Sequence, residues 1–149
     1  MLFRSCNLLK QKAHEWLKQG DILSNSKNYS EAIQCYQKAI KINPKLKDAW
    51  IRLSGCQYDI GLFEEVVETC EDGLEIFSDN DILLHNKGAA LRELNLLRLA
   101  LRSLKKASHF DPKYVGTINE LAIVYEKLED YSNQEDCLKK ICALEPKNL

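Results

Sequence analysis

The sequence predicts an all-α fold, an α-α superhelix (solenoid) built from four helix–turn–helix repeats. The first observation is a fixed period. The distance from Pro112 to Pro146 is one period, the distance from Pro44 to Pro112 is two periods, and Ser78 stands midway between Pro44 and Pro112. The second is that apolar residues recur at helical spacing within each period. The third is the scarcity of helix breakers, with only 3 prolines and 6 glycines in 149 residues, which favours helices over a turn-rich β fold.

The period divides the chain into an N-terminal extension and a repeat domain at 13–149. The predicted repeats cover 13–46, 47–80, 81–114 and 115–148. Residues 1–12 are expected to be helical and continuous with the first repeat, because Leu8 and Leu9 have helical spacing to Trp16.

Turns and small residues complete each predicted repeat. The polar run at 24–28 and Gly61 mark turns between the two helices of a repeat. The proline column ends the second helix and starts the next pair. Small residues at Gly20 and Gly88 are expected to let the paired helix approach closely.

The recurring positions resemble the tetratricopeptide repeat family, whose pattern is W-x2-L-G-x2-Y…A-x3-F…P in a repeat of about 34 residues. The first repeat matches this pattern best, at Trp16, Gly20, Tyr29, Ala32, Tyr36, Ala39 and Pro44. Four copies in unbroken register make the resemblance specific. It implies a protein-interaction scaffold or adaptor that holds a peptide or partner segment in a concave groove.

The resemblance also implies that the first helix of each repeat lines this groove. The candidate partner-binding residues are Lys18, Arg52, Tyr58, Asn86, Arg92 and Asn119. Amide, aromatic and charged side chains in one set suit an extended peptide held by hydrogen bonds and a few charges. Acidic neighbours such as Asp21, Glu93 and Glu120 reduce the positive charge that the lysine and arginines of this set present to an acidic peptide.

Some members of the family bind chaperone C-terminal tails through a carboxylate clamp of lysines, asparagines and an arginine. The corresponding positions here hold Leu17, Asp21, Arg52, Ile82 and Asn86. A clamp without its cations cannot offset the desolvation of a terminal carboxylate. The sequence therefore predicts binding without a clamp of this kind.

Composition argues against several other functions. The net charge of -1 gives no basic excess for general nucleic-acid binding. No apolar stretch is long enough to span a membrane. No catalytic, metal or cofactor motif is present, and His14, His85 and His109 are scattered, so we expect neither an enzyme nor a cofactor.

The predicted location is the cytoplasm, because the N-terminus does not resemble a secretory signal. In that reducing compartment the six cysteines are expected to be small buried apolar residues without disulfides. Gln134 and Glu135 replace the alanine and its apolar neighbour of the other repeats, and are interpreted as a polar cap at which the array ends.

Two alternatives to the adaptor function stay open. One is a small secretion-type chaperone built of such repeats. The other is a structural subunit of a multiprotein assembly, in which Leu2, Phe3 and Leu144 would be contacts. The expected oligomeric state is a monomer, or weak self-association through the ends of the array.

Overall fold

The computed structural model describes residues 1–146, which form eight α-helices and no strand. The predicted all-α class is confirmed. The helices, numbered in chain order, are α1 (Leu2–Asn25), α2 (Tyr29–Ile42), α3 (Lys47–Asp59), α4 (Phe63–Ile76), α5 (Asp81–Glu93), α6 (Leu97–Phe110), α7 (Val115–Lys127) and α8 (Tyr131–Leu144).

The helices form two compact units. Unit 1 spans Met1–Ser78 and contains α1 to α4, and unit 2 begins at Asp79 and contains α5 to α8. Within unit 1, α1 packs on α2 and α3 packs on α4, and within unit 2 the corresponding pairs are α5 with α6 and α7 with α8. The first helices of neighbouring repeats also touch, α1 with α3 and α5 with α7.

Small residues let the paired helices approach closely, as the sequence predicted. A Cβ atom on Gly20 would lie 2.5 Å from Cε1 of Tyr36, and one on Gly88 would lie 2.5 Å from Cγ of Leu104. A fully buried side chain of the second helix therefore packs directly against each glycine. Alanines on the second helices are buried in the same way, at Ala32, Ala39, Ala100 and Ala107.

The turns within the repeats share one backbone conformation. A residue with positive φ follows each first helix, at Lys27, Gly61, Asn95 and Glu129, and these positions recur with the same period as the proline column. In the first turn, the N–H of Asn28 donates to the carbonyl of Leu23 at 2.9 Å and the N–H of Lys27 donates to that of Ser24 at 2.9 Å. This is the Schellman motif, which satisfies the last carbonyls of a helix through a left-handed residue.

The second helices end two residues before the proline column. They stop at Ile42, Ile76, Phe110 and Leu144, and Pro44, Ser78, Pro112 and Pro146 follow. A proline at this position cannot continue the helix, because it lacks an N–H.

Helix α1 is longer than the other seven described helices and includes the residues that precede the first repeat. The side chains of residues 1–12 are all exposed, including Leu2 and Phe3, and Ala13 is the first buried residue. No helix within residues 1–146 has the length and apolarity needed to cross a membrane.

The expectation for the cysteines is confirmed at four positions and wrong at two. Cys35, Cys56, Cys70 and Cys137 are buried and form no disulfide, but Cys6 and Cys142 are exposed. Cys6 lies in the exposed first turns of α1, and Cys142 lies on the exposed side of α8. Helical spacing alone did not reveal that no other helix covers these two positions.

The proposed polar cap lies on α8. Glu135 is exposed, and its Oε1 lies 2.8 Å from Nζ of Lys139. This ion pair within one helix lowers the pKa of Glu135 through the hydrogen bond and charge of Lys139. The cap itself stays a prediction.

Candidate partner-binding groove

The predicted groove residues all lie on the first helices of the repeats. Their positions are Lys18 on α1, Arg52 and Tyr58 on α3, Asn86 and Arg92 on α5, and Asn119 on α7. Because α1 touches α3 and α5 touches α7, each unit places two first helices side by side. We call the surface formed by these helices the first-helix face of each unit.

An acid–base pair joins the two first helices of unit 1. Nε of Arg52 on α3 lies 3.4 Å from Oδ1 of Asp21 on α1. The Arg52 side chain is 56% exposed and that of Asp21 is 35% exposed. The guanidinium therefore has a carboxylate beside it and also faces solvent, where a ligand can reach it.

A buried tyrosine holds Asp21 in place. The hydroxyl of Tyr36 donates to Oδ1 of Asp21 at 2.8 Å, and the Tyr36 side chain is fully buried beneath Gly20. Burial is the largest cause, and this hydrogen bond the second, that raises the pKa of Tyr36 above its usual range. The tyrosine therefore remains a neutral donor, and the carboxylate of Asp21 is fixed on the surface that also carries Arg52.

Lys18 and Tyr58 complete the predicted set in unit 1. Lys18 is exposed on α1, and within residues 1–146 it forms no ion pair. Tyr58 is half-buried, and its ring lies 5.3 Å from that of Phe63 in an edge-on arrangement. Unit 1 therefore offers an exposed ammonium group, a paired guanidinium and an aromatic ring that is fixed by its neighbour.

A more shielded acid–base pair joins the first helices of unit 2. Nε of Arg92 donates to Oε2 of Glu120 at 2.6 Å, and its Nη2 donates to Oε1 at 3.4 Å. The two side chains are only 14% and 15% exposed. Nη1 of Arg92 also lies 2.9 Å from Oε1 of Glu93. The guanidinium is thus surrounded by carboxylates of its own chain.

A histidine lies on the same face of unit 2. Nδ1 of His85 forms a hydrogen bond of 3.0 Å with Oγ1 of Thr117, and the ring of Tyr114 packs edge-on at 5.3 Å. Burial lowers the pKa of His85, although the charges of Glu120 and Asp81 oppose this effect. The imidazole is therefore neutral near pH 7 and carries its hydrogen bond between α5 and α7.

The two asparagines differ in accessibility. Asn86 is half-buried on α5, whereas Asn119 is exposed on α7. Sequence reasoning named Asp21 and Glu120 as acids that dilute the cations, and Asp21 also as the residue at a clamp position, but it paired neither acid with an arginine and it missed Thr117. The structure places both acids as direct partners of the predicted arginines. The signal available in the sequence was an acid on one first helix and an arginine on the neighbouring one.

This arrangement has the chemistry of a recognition surface. It combines fixed charges, amides and an aromatic ring, which can hold a polypeptide by hydrogen bonds. Among residues 1–146, no group of three or more histidine, cysteine or carboxylate side chains could hold a metal ion.

The repeats identify the class of protein as a helical-repeat scaffold for protein–protein interaction. Family models described as "Tetratricopeptide repeat" match residues 9–46 and 116–148. The chain belongs to the tetratricopeptide repeat family, as its sequence pattern indicated.

A curated human protein is similar to the chain over most of its length. Human sperm-associated antigen 1 is 26% identical over 119 residues, which is 79% of this chain and 13% of the human protein. The chain thus spans about an eighth of that relative's length.

Solved structures share the fold. MamA from Desulfovibrio magneticus RS-1 superposes with a TM-score of 0.82 at 18% identity, covering 90% of this chain and 76% of MamA. The first repeat domain of Spaghetti (RPAP3), solved with the HSP90 peptide SRMEEVD, has a TM-score of 0.78 at 21% identity and covers 80% and 95% of the two chains. These likenesses confirm the predicted class of α-α repeat fold.

Proposed function

We propose that the first-helix face of each unit binds an extended segment of a partner protein, and that it does so without a carboxylate clamp. The supporting observation is that Arg52 and Arg92 each pair with a carboxylate from the neighbouring first helix. A surface with compensated charges recognises hydrogen-bonding groups more readily than it recognises an isolated anion.

The position of Asp21 argues most directly against a clamp. It occupies a slot where a clamp needs a neutral or cationic donor, and the buried Tyr36 fixes its carboxylate there. A peptide carboxylate at this position would meet a like charge, and like charges in contact cost several kcal/mol. Leu17, at another clamp slot, packs into the core clusters of unit 1 and offers no donor.

The peptide SRMEEVD tests the absence of a clamp. We expect no saturable binding of this peptide at micromolar concentrations, measured by isothermal titration calorimetry. Micromolar affinity that disappears in Arg52→Ala would contradict the proposal, because it would mean that Arg52 leaves Asp21 to hold the peptide.

A pull-down from native lysate, analysed by mass spectrometry, tests the binding face itself. The variant is Lys18→Glu, Arg52→Glu, Tyr58→Ala, which changes three accessible residues of unit 1. Arg92 is left intact, because it is shielded within an ion pair and its loss would disturb folding. A matched control carries Lys45→Glu, Lys106→Glu and Tyr131→Ala, three exposed residues outside the first helices.

The two possible outcomes of the pull-down show whether the first-helix face or another surface binds the partner. If the first-helix face binds the partner, the groove variant loses a protein that the wild type and the control variant both retain. If all three baits retain the same proteins, this face is not the binding surface. Helical circular dichroism of both variants must match that of the wild type.

A role as a structural subunit is the second candidate, and one observation favours it. The first turns of α1 expose large apolar side chains, with Leu2 and Phe3 each 88% exposed and Leu8 66% exposed. Contiguous exposed apolar residues are typical of protein contact sites. Light scattering over a hundredfold range of concentration tests self-association, and a constant monomer mass would remove that version of the role.

A further inference from the structure

A second cleft lies in unit 1, on the side of α3 that faces away from the first-helix face. The third helix contributes Trp50, Leu53 and Gln57 to its floor, and α2 and α4 form its walls. With 100° per residue in a helix, these three positions point about 100–160° away from Arg52. The cleft has a volume of about 360 Å³, within the range of roughly 300–1,000 Å³ found for small-molecule sites.

The floor of this cleft contains an unsatisfied polar group. Gln57 is only 5% exposed, and within residues 1–146 its Oε1 has no hydrogen-bond partner. A buried acceptor without a donor costs roughly 1–3 kcal/mol. An apolar side chain at this position would avoid that cost. The glutamine at the floor of the cleft therefore points to a ligand that supplies a hydrogen-bond donor.

The walls of the cleft carry a strong negative charge. Glu65, Glu68 and Asp72 lie on one stripe of α4 and line the cleft, and among residues 1–146 Lys41 is the single cation that lines it. None of the three carboxylates forms an ion pair with the described part of the chain. The whole of α4 has the sequence FEEVVETCEDGLEI, with six acidic residues and no basic one.

The floor is also suited to a planar or aliphatic group. The indole Nε1 of Trp50 donates to the carbonyl of Pro44 at 2.8 Å, which fixes the ring, and Trp50 and Leu53 are buried. A fixed indole beside acidic side chains favours a cation that can stack, and arginine does this more often than lysine.

We propose that this cleft is a docking site for an arginine side chain in a basic segment of a partner protein. The guanidinium group donates to the carboxylates of α4 and, once the Gln57 side chain turns toward the cleft, to its Oε1, and the arginine stem lies against Trp50. Arginine fits better than lysine because its five N–H donors, arranged in a planar fork, can satisfy an amide oxygen and a carboxylate together. This site is separate from the first-helix face, so either proposal can fail without the other.

Unit 2 contains an equivalent cleft that keeps one carboxylate, Asp136 in place of Glu68, but lacks the other features, and it serves as an internal control. At the corresponding positions two repeats further along the chain, Tyr125 stands for Gln57, Asn133 for Glu65 and Lys140 for Asp72. Nζ of Lys105 lies 6.0 Å from the centre of the Tyr125 ring, so a cation of the chain already occupies that surface. An added arginine should therefore bind in unit 1 and not in unit 2.

Nuclear magnetic resonance of the full ¹⁵N-labelled chain tests the proposal, with Nα-acetylarginine amide as the probe. We expect saturable shifts of the Trp50 indole N–H and the Gln57 side-chain amide, with a dissociation constant on the order of 1 mM, as suits so small a ligand. The indole of Trp16 and the backbone of 121–140 should not shift. Nα-acetylcitrulline amide, which has the same shape without the charge, should bind at least tenfold more weakly.

Two variants assign the binding to specific groups. Glu65→Gln, Glu68→Gln, Asp72→Asn should weaken the probe at least fivefold, whereas a control with equal charge change, Glu15→Gln, Glu31→Gln, Asp79→Asn, should weaken it less than twofold. Gln57→Leu should weaken the probe at least threefold without lowering the urea midpoint, because it removes an unsatisfied acceptor.

Several results would overturn the inference. Equal shifts in the two clefts, equal binding of the citrulline compound, or no shift of Trp50 would each exclude an arginine site in unit 1. A clear loss of stability in Gln57→Leu would mean that the amide is satisfied in the free protein. Shifts of Trp50 that depend on protein concentration without any probe would assign the cleft to a second copy of the chain instead of a separate partner.

Discussion

In unit 1, Arg52 and Asp21 join the first helices from positions where solvent reaches both side chains. In unit 2, Arg92 and Glu120 make the same kind of connection, but each side chain is about one-seventh exposed and the arginine donates two hydrogen bonds. The same repeat thus produces an accessible pair and a shielded one. An accessible arginine remains available to a ligand, whereas a shielded arginine mainly stabilises the packing of its own helices.

Removing the arginine from each pair should give the largest difference between the units. We expect Arg92→Met to lower the free energy of unfolding by about 2–3 kcal/mol, because it leaves the shielded carboxylate of Glu120 without a cation. Arg52→Met should cost less than about 1 kcal/mol, since exposed ion pairs contribute little. Urea unfolding followed by circular dichroism measures both values.

The double variant Arg92→Met, Glu120→Leu is the control for this comparison. It removes both charges, so it should regain part of the stability lost in the single variant. Equal losses for Arg52→Met and Arg92→Met would show that the difference in exposure does not control the energy of these pairs.

The close approach of the paired helices gives the second comparison. We expect Gly20→Ala to cost about 2 kcal/mol and Gly88→Ala about 1 kcal/mol, because extra atoms in a tight core strain it, although alanine regains some helix propensity. The hydrogen bond to Asp21 holds the Tyr36 ring in place, whereas the flexible aliphatic side chain of Leu104 has no hydrogen bond to restrain it. Thermal unfolding checks the order, and a larger loss for Gly88→Ala would contradict it.

The helical period, the turns and the small residues could be predicted because they depend on residues close together in the sequence. A small residue recurs at the position of Gly20 in every repeat, and Gly61 marks a turn by its residue type alone. The pairing of Arg92 with Glu120 could not be predicted, because it depends on how two separate helices are rotated and how deeply they are buried. The cleft at Gln57 was missed for the same reason, since nothing in the local pattern marks that glutamine as buried.

The histidine of unit 2 gives a comparison that depends on pH. Because burial lowers the pKa of His85 below its ordinary value of 6.5, the unfolded chain binds a proton more readily than the folded chain does. The neutral form therefore contributes stability above pH 6.5, and this contribution is lost as the pH falls through the lowered pKa. Thr117, Tyr114, Glu120 and Asp81 face the ring, and both carboxylates oppose the shift without reversing it.

Urea midpoints at pH 7.5, 6.5 and 5.5 measure this effect. The wild type should lose stability over this range, and His85→Gln, which cannot titrate, should lose less. If the two proteins show the same dependence on pH, the carboxylates and not His85 control the response of the fold to acid.

The turns should give the smallest differences, because the same left-handed conformation is occupied by four different residue types. Gly61 adopts it without strain, Asn95 tolerates it, and Lys27 and Glu129 adopt it at a cost of roughly 1 kcal/mol. We expect Lys27→Gly and Glu129→Gly to stabilise the protein by about 0.5 kcal/mol, Asn95→Gly to be nearly neutral, and Gly61→Ala to cost about 1 kcal/mol. Unfolding in urea, with the four variants measured side by side, checks both the signs and the order.

A loss of stability in both Lys27→Gly and Glu129→Gly would contradict this prediction. It would mean that the extra freedom of glycine in the unfolded chain outweighs the strain relieved in the folded turn. A loss of stability in only one of the two variants would instead indicate that the replaced side chain stabilises its turn. The first turn of unit 1 and the second turn of unit 2 would then differ in how their side chains contribute to stability. Because the backbone hydrogen bonds of the two turns are the same, such a difference could come only from the side chains.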